Sequence, residues 1–221
     1  MNSAIIVAGG VGKRFLEKTP KQFTKLKGKE ILAFSVETFI NHQNIDEVII
    51  VSHLEWIEHV SKIYSGCKIV EGGRTRQESV FNGINHCSQS SKNVLIHDAA
   101  RPFISSNIIT SCLQKLEETD AVAPVMDSSN SLVEWDNGTI KYVDRSKIKE
   151  VQTPQCFQKK IILDALKTEY KATVEIGLLL LTNSEANIKF VPGSEHNRKI
   201  TSKYDMIILE SYINQRIIDW I

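Results

Sequence analysis

AIIVAGGVGKRFLEKTPKQF, Ala4 to Phe23, sets an unbroken apolar run directly before three glycines, Gly9, Gly10 and Gly12, and four cations, Lys13, Arg14, Lys18 and Lys21. A run without polar alternation reads as a strand buried on both faces, as in parallel sheets. Glycines just beyond such a strand let the backbone turn sharply and bring N–H groups close to an anion with no Cβ in the way. The charge comes from the cations. Arg14 offers a planar fork for phosphate oxygens, and Lys21 a compact ammonium after Pro20 has fixed the local backbone. Two readings stand at this point: a cradle for a nucleoside triphosphate, or a tight turn on a basic surface. The spacing is neither G-x-G-x-x-G nor the G-x-x-x-x-G-K-[ST] of a P-loop.

Similar short apolar runs recur at 47–52 (EVIIVS), 67–72 (CKIVEG), 93–99 (NVLIHDA), 120–125 (DAVAPV) and 186–192 (ANIKFVP). Between them, 30–42, 53–65, 76–88 and 106–118 carry apolar residues every three or four positions, the period of a helix, and 201–221 reads as a C-terminal helix. Strands alternating with helices predict an α/β fold, a doubly wound and mostly parallel sheet of Rossmann-like form. The stretch NSLVEWDNGTIKYVDR breaks that rhythm with near-alternating apolar residues around Asn137-Gly138, a pair that tolerates the positive φ angles of a type I′ turn. It predicts a protruding β-hairpin arm within 126–147. Val133, Trp135, Ile140 and Tyr142 on that arm need cover, and a second subunit would supply it.

At 221 residues the chain suits a single domain spanning 1–221. Its 27 basic and 26 acidic residues nearly cancel, leaving +1, and its cations cluster at one place without an aromatic-interleaved stripe. Neither nucleic acid nor a membrane surface is indicated as a partner. Cys67, Cys87, Cys112 and Cys156 form no CxxC pair or Cys/His cluster, so they read as reduced thiols. With no signal-type segment and no apolar run of membrane-spanning length, the expectation is a cytoplasmic protein.

Further motifs narrow the first stretch. AGGVGKR (8–14) followed by PKQ (20–22) combines with EGGRTRQESVFNGI (71–84), VLIHDAARPFI (94–104), VDRSKIKEVQTPQCF (143–157) and NRKIT (197–201). In that order and spacing, from Ala4 to about Glu210, the chain resembles the 2-C-methyl-D-erythritol 4-phosphate cytidylyltransferases of the non-mevalonate isoprenoid pathway and the related ribitol-5-phosphate cytidylyltransferases. The resemblance implies a nucleotidyltransferase fold and a Mg²⁺-dependent transfer from CTP to a polyol phosphate, giving a CDP-alcohol and pyrophosphate in a homodimer. It also implies that Ala8, Gly9, Gly10 and Gly12 lie along the nucleotide and that Arg14, Lys21 and Lys199 act on the reacting phosphates. Gly73 and Ser79 would hold the base and ribose; by itself Ser79 reads as a helix-surface hydroxyl. Ser128, Arg145, Thr153 and Thr173 would face the acceptor, with Arg145 reaching across from the neighbouring subunit.

Asp98 ends an apolar run where open α/β sheets bind ligands. It can hold Mg²⁺ or accept from substrate hydroxyls, and the other reading is a helix N-cap before AARP. Arg101 either binds phosphate or braces Asp98. His97 is a structural strand residue in this reading, because a phosphate monoester needs little deprotonation to attack. The family's usual T-D-x-x-S is here TVEIG, Thr173 to Gly177, and the usual N-I-K is Asn197-Arg198-Lys199. These departures leave open the identity of the acceptor, with ribitol 5-phosphate or another polyol phosphate beside methylerythritol phosphate. A nucleotidyltransferase for another base and a non-catalytic CTP-binding paralogue are the remaining alternatives.

Overall fold

The computed structural model describes residues 1–10 and 19–215. Gly12 and Arg14 of the glycine-rich loop, and the tail beyond 215, lie outside the described residues. In chain order the elements are β1 (Asn2–Ala8), β2 (Lys25–Leu26), β3 (Lys29–Glu30), α1 (Ile31–Ile40), β4 (Glu47–Ser52), α2 (Ile57–Ile63), β5 (Lys68–Glu71) and α3 (Arg76–Asn85). There follow β6 (Asn93–Asp98), α4 (Ser106–Leu116), β7 (Ala121–Asp127), β8 (Leu132–Asp136), β9 (Thr139–Val143), β10 (Lys149–Val151) and β11 (Gln155–Gln158). The remaining elements are α5 (Lys159–Leu166), α6 (Glu175–Thr182), β12 (Ile188–Pro192) and α7 (Lys203–Asn214).

β1 is central, pairing in parallel with β4 on one side and β6 on the other, and β5 extends the parallel set beyond β4. Ala4, Ile5 and Ile6 have no exposed surface because the sheet is covered on both faces, which is why the strand carries no polar alternation. Ala4, Ile6 and Ala8 meet α1, α2 and α4 through residues such as Leu32, Phe39, Val60 and Ile109. Ile5 faces the opposite layer, where α3, α5 and α6 contribute Val80, Ile84, Ile162 and Leu179.

The other half of the sheet is mixed. β11 inserts antiparallel between β6 and β7. The same chain segment runs on beside β7 as β10, while β12 lies parallel to β7 on its far side. This antiparallel insertion was not legible as a strand, because Gln155–Gln158 is only four residues long and follows Pro154. The helices α5 and α6 are similarly short, at eight residues each. By contrast, the hairpin β8–β9 forms as the Asn-Gly pair predicts, with φ of 45° at Asn137 and 85° at Gly138. Its cross-strand pairs Val133–Tyr142 and Trp135–Ile140 share one face, and all four side chains are more than 60% exposed.

α3 approaches β1 and β4 closely at Gly83, where a Cβ would lie 2.6 Å from Ile5 Cγ2 and 2.9 Å from Val51 Cγ2. Both neighbours are held in the sheet, so the helix would have to move. Gly83→Ala is expected to lower stability by about 1–3 kcal/mol, read from the denaturation midpoint in urea.

Candidate active site

The parallel strands end at a cavity of about 460 Å³, lined by Gly9, Gly10, Lys21, Gln22, His53, Gly73, Arg74, Ser79, Asp98 and Lys199 among others. Its position at the C-terminal edge of the sheet is where open α/β folds bind ligands. Asp98, the last residue of β6, forms part of its wall. Arg76 Nε and Nη2 donate to Asp98 Oδ1 at 3.2 and 3.1 Å, and Lys199 Nζ donates to Oδ2 at 2.7 Å. Arg101 Nε lies 3.8 Å from Oδ2. Burial alone would raise the pKa of this carboxyl, but Arg76, Lys199 and Arg101 outweigh it and hold the group well below the usual carboxylate range. Asp98 is therefore an ionised acceptor. No helix follows it directly, so the N-cap alternative is excluded.

Behind Asp98 the polar groups form a closed chain. His97 Nε2 pairs with the Arg101 carbonyl and Nδ1 with Thr153 Oγ1, both at 3.0 Å. A carbonyl can only accept, so Nε2 carries the proton and Nδ1 receives the Thr153 hydroxyl. The Thr153 oxygen in turn accepts the Asp98 amide at 3.1 Å. Burial lowers the His97 pKa to about 4, which makes it a neutral strut. This arrangement moves Thr153 from the expected acceptor side to a bracing position, and of the two readings of Arg101 it agrees with the brace for Asp98. Thr153 is 3% exposed and already bonded on both sides, so its hydroxyl braces Asp98 and does not face an acceptor. Arg101 is likewise turned inward, donating through Nη1 to the Asn197 carbonyl at 2.7 Å, and does not line the cavity.

The P-K-Q triplet closes the opposite side. Lys21–Phe23 form a 3₁₀ turn, and Phe23 stacks on Trp56 with ring centroids 4.5 Å apart. That anchor directs Gln22 inward, where Nε2 donates to the carbonyls of Ala8 at 2.5 Å and Gly10 at 3.0 Å. Lys21 Nζ donates to the Ile200 carbonyl at 2.6 Å, so the two ends of the chain meet at the cavity. Gln22 is a functional position missed by the sequence reading, although the triplet itself was the available signal. Ala8 enters only through its carbonyl and is buried.

On the third wall, Ser79 Oγ accepts the Gly73 amide at 3.1 Å and donates to the Thr75 carbonyl at 2.9 Å. One lone pair remains for a ligand donor. Gly73 has to be glycine because a Cβ would lie 2.2 Å from Glu78 Cβ. The acceptor-side residues are dispersed: Thr173 lines a neighbouring cavity with Arg76 and Tyr170, Ser128 is buried after β7, and the exposed Arg145 donates to the Ser129 carbonyl at 2.9 Å. None of these three lines the nucleotide-sized cavity.

The family model described as IspD, 2-C-methyl-D-erythritol 4-phosphate cytidylyltransferase, matches residues 2–215. The chain belongs to the IspD family. A 2-C-methyl-D-erythritol 4-phosphate cytidylyltransferase of Clostridium botulinum (strain 657 / Type Ba4) is 37% identical over 225 residues, covering 97% of this chain and 98% of its own. The crystal structure of 4-diphosphocytidyl-2C-methyl-D-erythritol synthase from Anaerococcus prevotii superposes with a TM-score of 0.87 at 26% identity, covering 96% of both chains. The bifunctional ribulose 5-phosphate reductase/CDP-ribitol pyrophosphorylase Bcs1 of Haemophilus influenzae is 33% identical over 97% of this chain and 48% of that protein. The IspD-family chain is thus a cytidylyltransferase, and the cavity at the ends of β1 and β6 is its candidate active site.

The departures from the family motif have local explanations. Val174 is the N-cap of α6 and supplies no side-chain hydrogen bond; instead Gln155 Oε1, from β11, accepts the Ile176 amide at 2.8 Å. An aspartate at this position is a preferred helix cap, and its replacement costs capping rather than a cavity group. At Gly177 a Cβ would meet only ordinary contacts, 3.4 Å from Val174 and 3.6 Å from Ala172. Arg198 is tied through Nε to Asp205 Oδ1 at 2.8 Å, and the same carboxylate closes the N-terminal capping box of α7. Through that contact the guanidinium braces the start of α7. Val174→Asp is expected to stabilise the fold by about 1 kcal/mol in thermal unfolding, without changing turnover.

Proposed function

We propose that this cytidylyltransferase joins CTP to 2-C-methyl-D-erythritol 4-phosphate in the cytoplasm, as a step of the non-mevalonate isoprenoid pathway. The observation that carries the reading is the convergence of Lys21 and Lys199 with Asp98 on a glycine-walled cavity at the strand ends. An oxygen of the acceptor phosphate attacks the α-phosphorus of CTP, the bond to the β-phosphate bridging oxygen breaks, and pyrophosphate leaves with that electron pair. Both reactants are anions, so the work is alignment and charge stabilisation. Lys21 and Lys199 supply positive charge beside the phosphates, and Arg14 adds its fork from outside the described residues. Gly73 and Ser79 hold the base, where the remaining Ser79 lone pair favours an amino donor over a carbonyl.

Asp98, kept ionised by its neighbouring cations, fits Mg²⁺ as one ligand, and the described residues contain no group of three metal-type side chains. That donor set suits an ion carried mainly by triphosphate oxygens, which is the usual habit of Mg²⁺. The ion would neutralise phosphate charge. No described helix is long and apolar enough to cross a membrane.

The homodimer and its arm, 126–147, belong to the same proposal, with 1–221 as one domain. The apolar face of the β8–β9 hairpin supports it, and Ser128, Arg145 and Thr173 then complete the acceptor side once a partner's arm is in place. A ribitol 5-phosphate acceptor is the second reading, favoured by the relationship to the CDP-ribitol pyrophosphorylase.

The test is pyrophosphate release from CTP with methylerythritol phosphate, ribitol 5-phosphate and glycerol 3-phosphate in parallel. Turnover with the first is expected, and turnover only with ribitol 5-phosphate would transfer the assignment to the second reading. Lys21→Ala, Lys199→Ala and Arg14→Ala should each lower the rate by about a hundredfold or more while leaving the fold intact. Trp135→Glu with Tyr142→Glu should convert the dimer to a monomer by sedimentation and remove acceptor turnover. An unchanged dimer would dismiss the arm as its interface.

A further inference from the structure

Arg76 is the first residue of α3, immediately after the loop bearing Gly73, and Thr75 caps that helix by accepting the Glu78 amide at 3.1 Å. From there its guanidinium reaches two distant elements. Nε and Nη2 meet Asp98 at the end of β6, as described above, while Nη1 meets Glu175 Oε1 at the start of α6. Glu175 is 3% exposed, and its second oxygen, Oε2, has no hydrogen-bond partner among the described residues. Burial raises the Glu175 pKa, and the Arg76 guanidinium opposes that shift by favouring the ionised form, so loss of Arg76 would leave a buried acidic group without its cation. Glu175 itself does not line the nucleotide cavity, whereas Arg76 and Asp98 do.

Asp98 thus sits between two cavity cations, Arg76 on Oδ1 and Lys199 on Oδ2. When Lys199 turns to an incoming phosphate, a cation fixed elsewhere is needed to keep the carboxylate in place. Arg76 meets that need because its planar fork binds Asp98 through two nitrogens and leaves the third for Glu175. We infer that Arg76 is a positioning residue for cytidylyl transfer, anchored by the buried Glu175 and holding Asp98 opposite Lys199 while substrate phosphates occupy the cavity. The inference rests on the cytidylyltransferase reading and adds a role for two residues that lie 99 positions apart in the chain.

Because Glu175 stands outside the cavity, its effect on the reaction has to pass through Arg76. Arg76→Gln should lower kcat by about 10- to 100-fold with the KM for CTP changed less than threefold, since Asp98 lies at the reacting phosphates and not at the base. Glu175→Gln should lower kcat by about tenfold, also at constant KM. The double variant should be no slower than Arg76→Gln alone, because the two substitutions break one linkage. CTP affinity measured by calorimetry should stay within threefold of wild type in all three. Arg76→Lys keeps the charge but loses the fork, and should recover part of the rate lost in Arg76→Gln while folding as wild type.

Wild-type kcat in folded Glu175→Gln would overturn the inference, as would multiplicative losses in the double variant. A tenfold rise in KM for CTP in Arg76→Gln at unchanged kcat would overturn it as well, by making Arg76 a direct substrate contact. If Arg76→Gln does not fold, the Glu175→Gln and Arg76→Lys kinetics decide alone. The wild-type assay keeps this separate from the assigned function: no turnover by wild type would sink the function itself, whereas equal rates in wild type and variants would sink only the role of Arg76.

Discussion

The charge balance around Asp98 is the constraint on which the rest of the site depends. A buried carboxylate at the end of a central strand is tolerable only when cations meet it, and here three approach from separate parts of the chain: Arg76 from α3, Arg101 from the turn after β6 and Lys199 from the segment before α7. Each of these cations fixes the position of the segment that carries it. The same carboxylate therefore draws the start of α3 beside the Gly73 loop, the strand end and the C-terminal segment to one point.

The second organising contact is made by groups with no formal charge. Gln22 bonds to the carbonyls of Ala8 and Gly10, and Phe23 beside it is held against Trp56, so the return of the chain after the glycine-rich loop is set by an amide and an aromatic anchor. A small third core, with Leu26, Ile31, Phe103, Ile200 and Leu209, lies beneath this return and joins α7 to the rest of the molecule. Burial of these side chains places Lys199, next to Ile200, against the cavity. Packing of an apolar neighbour thus positions the cation.

What was legible in the sequence follows from how local each signal is. The central strands were readable because burial on both faces leaves a continuous apolar run, and the hairpin because Asn137-Gly138 has one favoured turn. Lys21, Asp98, Lys199, Gly73 and Ser79 were readable through motifs, and they meet around one cavity. What escaped depends on contacts between remote segments. Nothing near Glu175 announces Arg76, nothing near Val174 announces that Gln155 supplies its missing cap, and nothing in the T-P-Q string shows that Thr153 faces His97. The motif identified residues that matter without separating those that touch a ligand from those that hold another residue.

The pairing of β7 with β10 has a mechanical consequence for the hairpin. The strand that leads out to it, through Val125–Asp127, and the strand that returns, Lys149–Val151, are hydrogen-bonded to each other before the chain enters the body of the sheet. The hairpin is in effect a cantilever with a clamped root. A force applied at its tip is carried down both strands, and the returning one continues through Gln152 to Thr153, whose hydroxyl supports the amide of Asp98. The load path of the arm ends two covalent links from the β10 strand, at the strut behind the carboxylate.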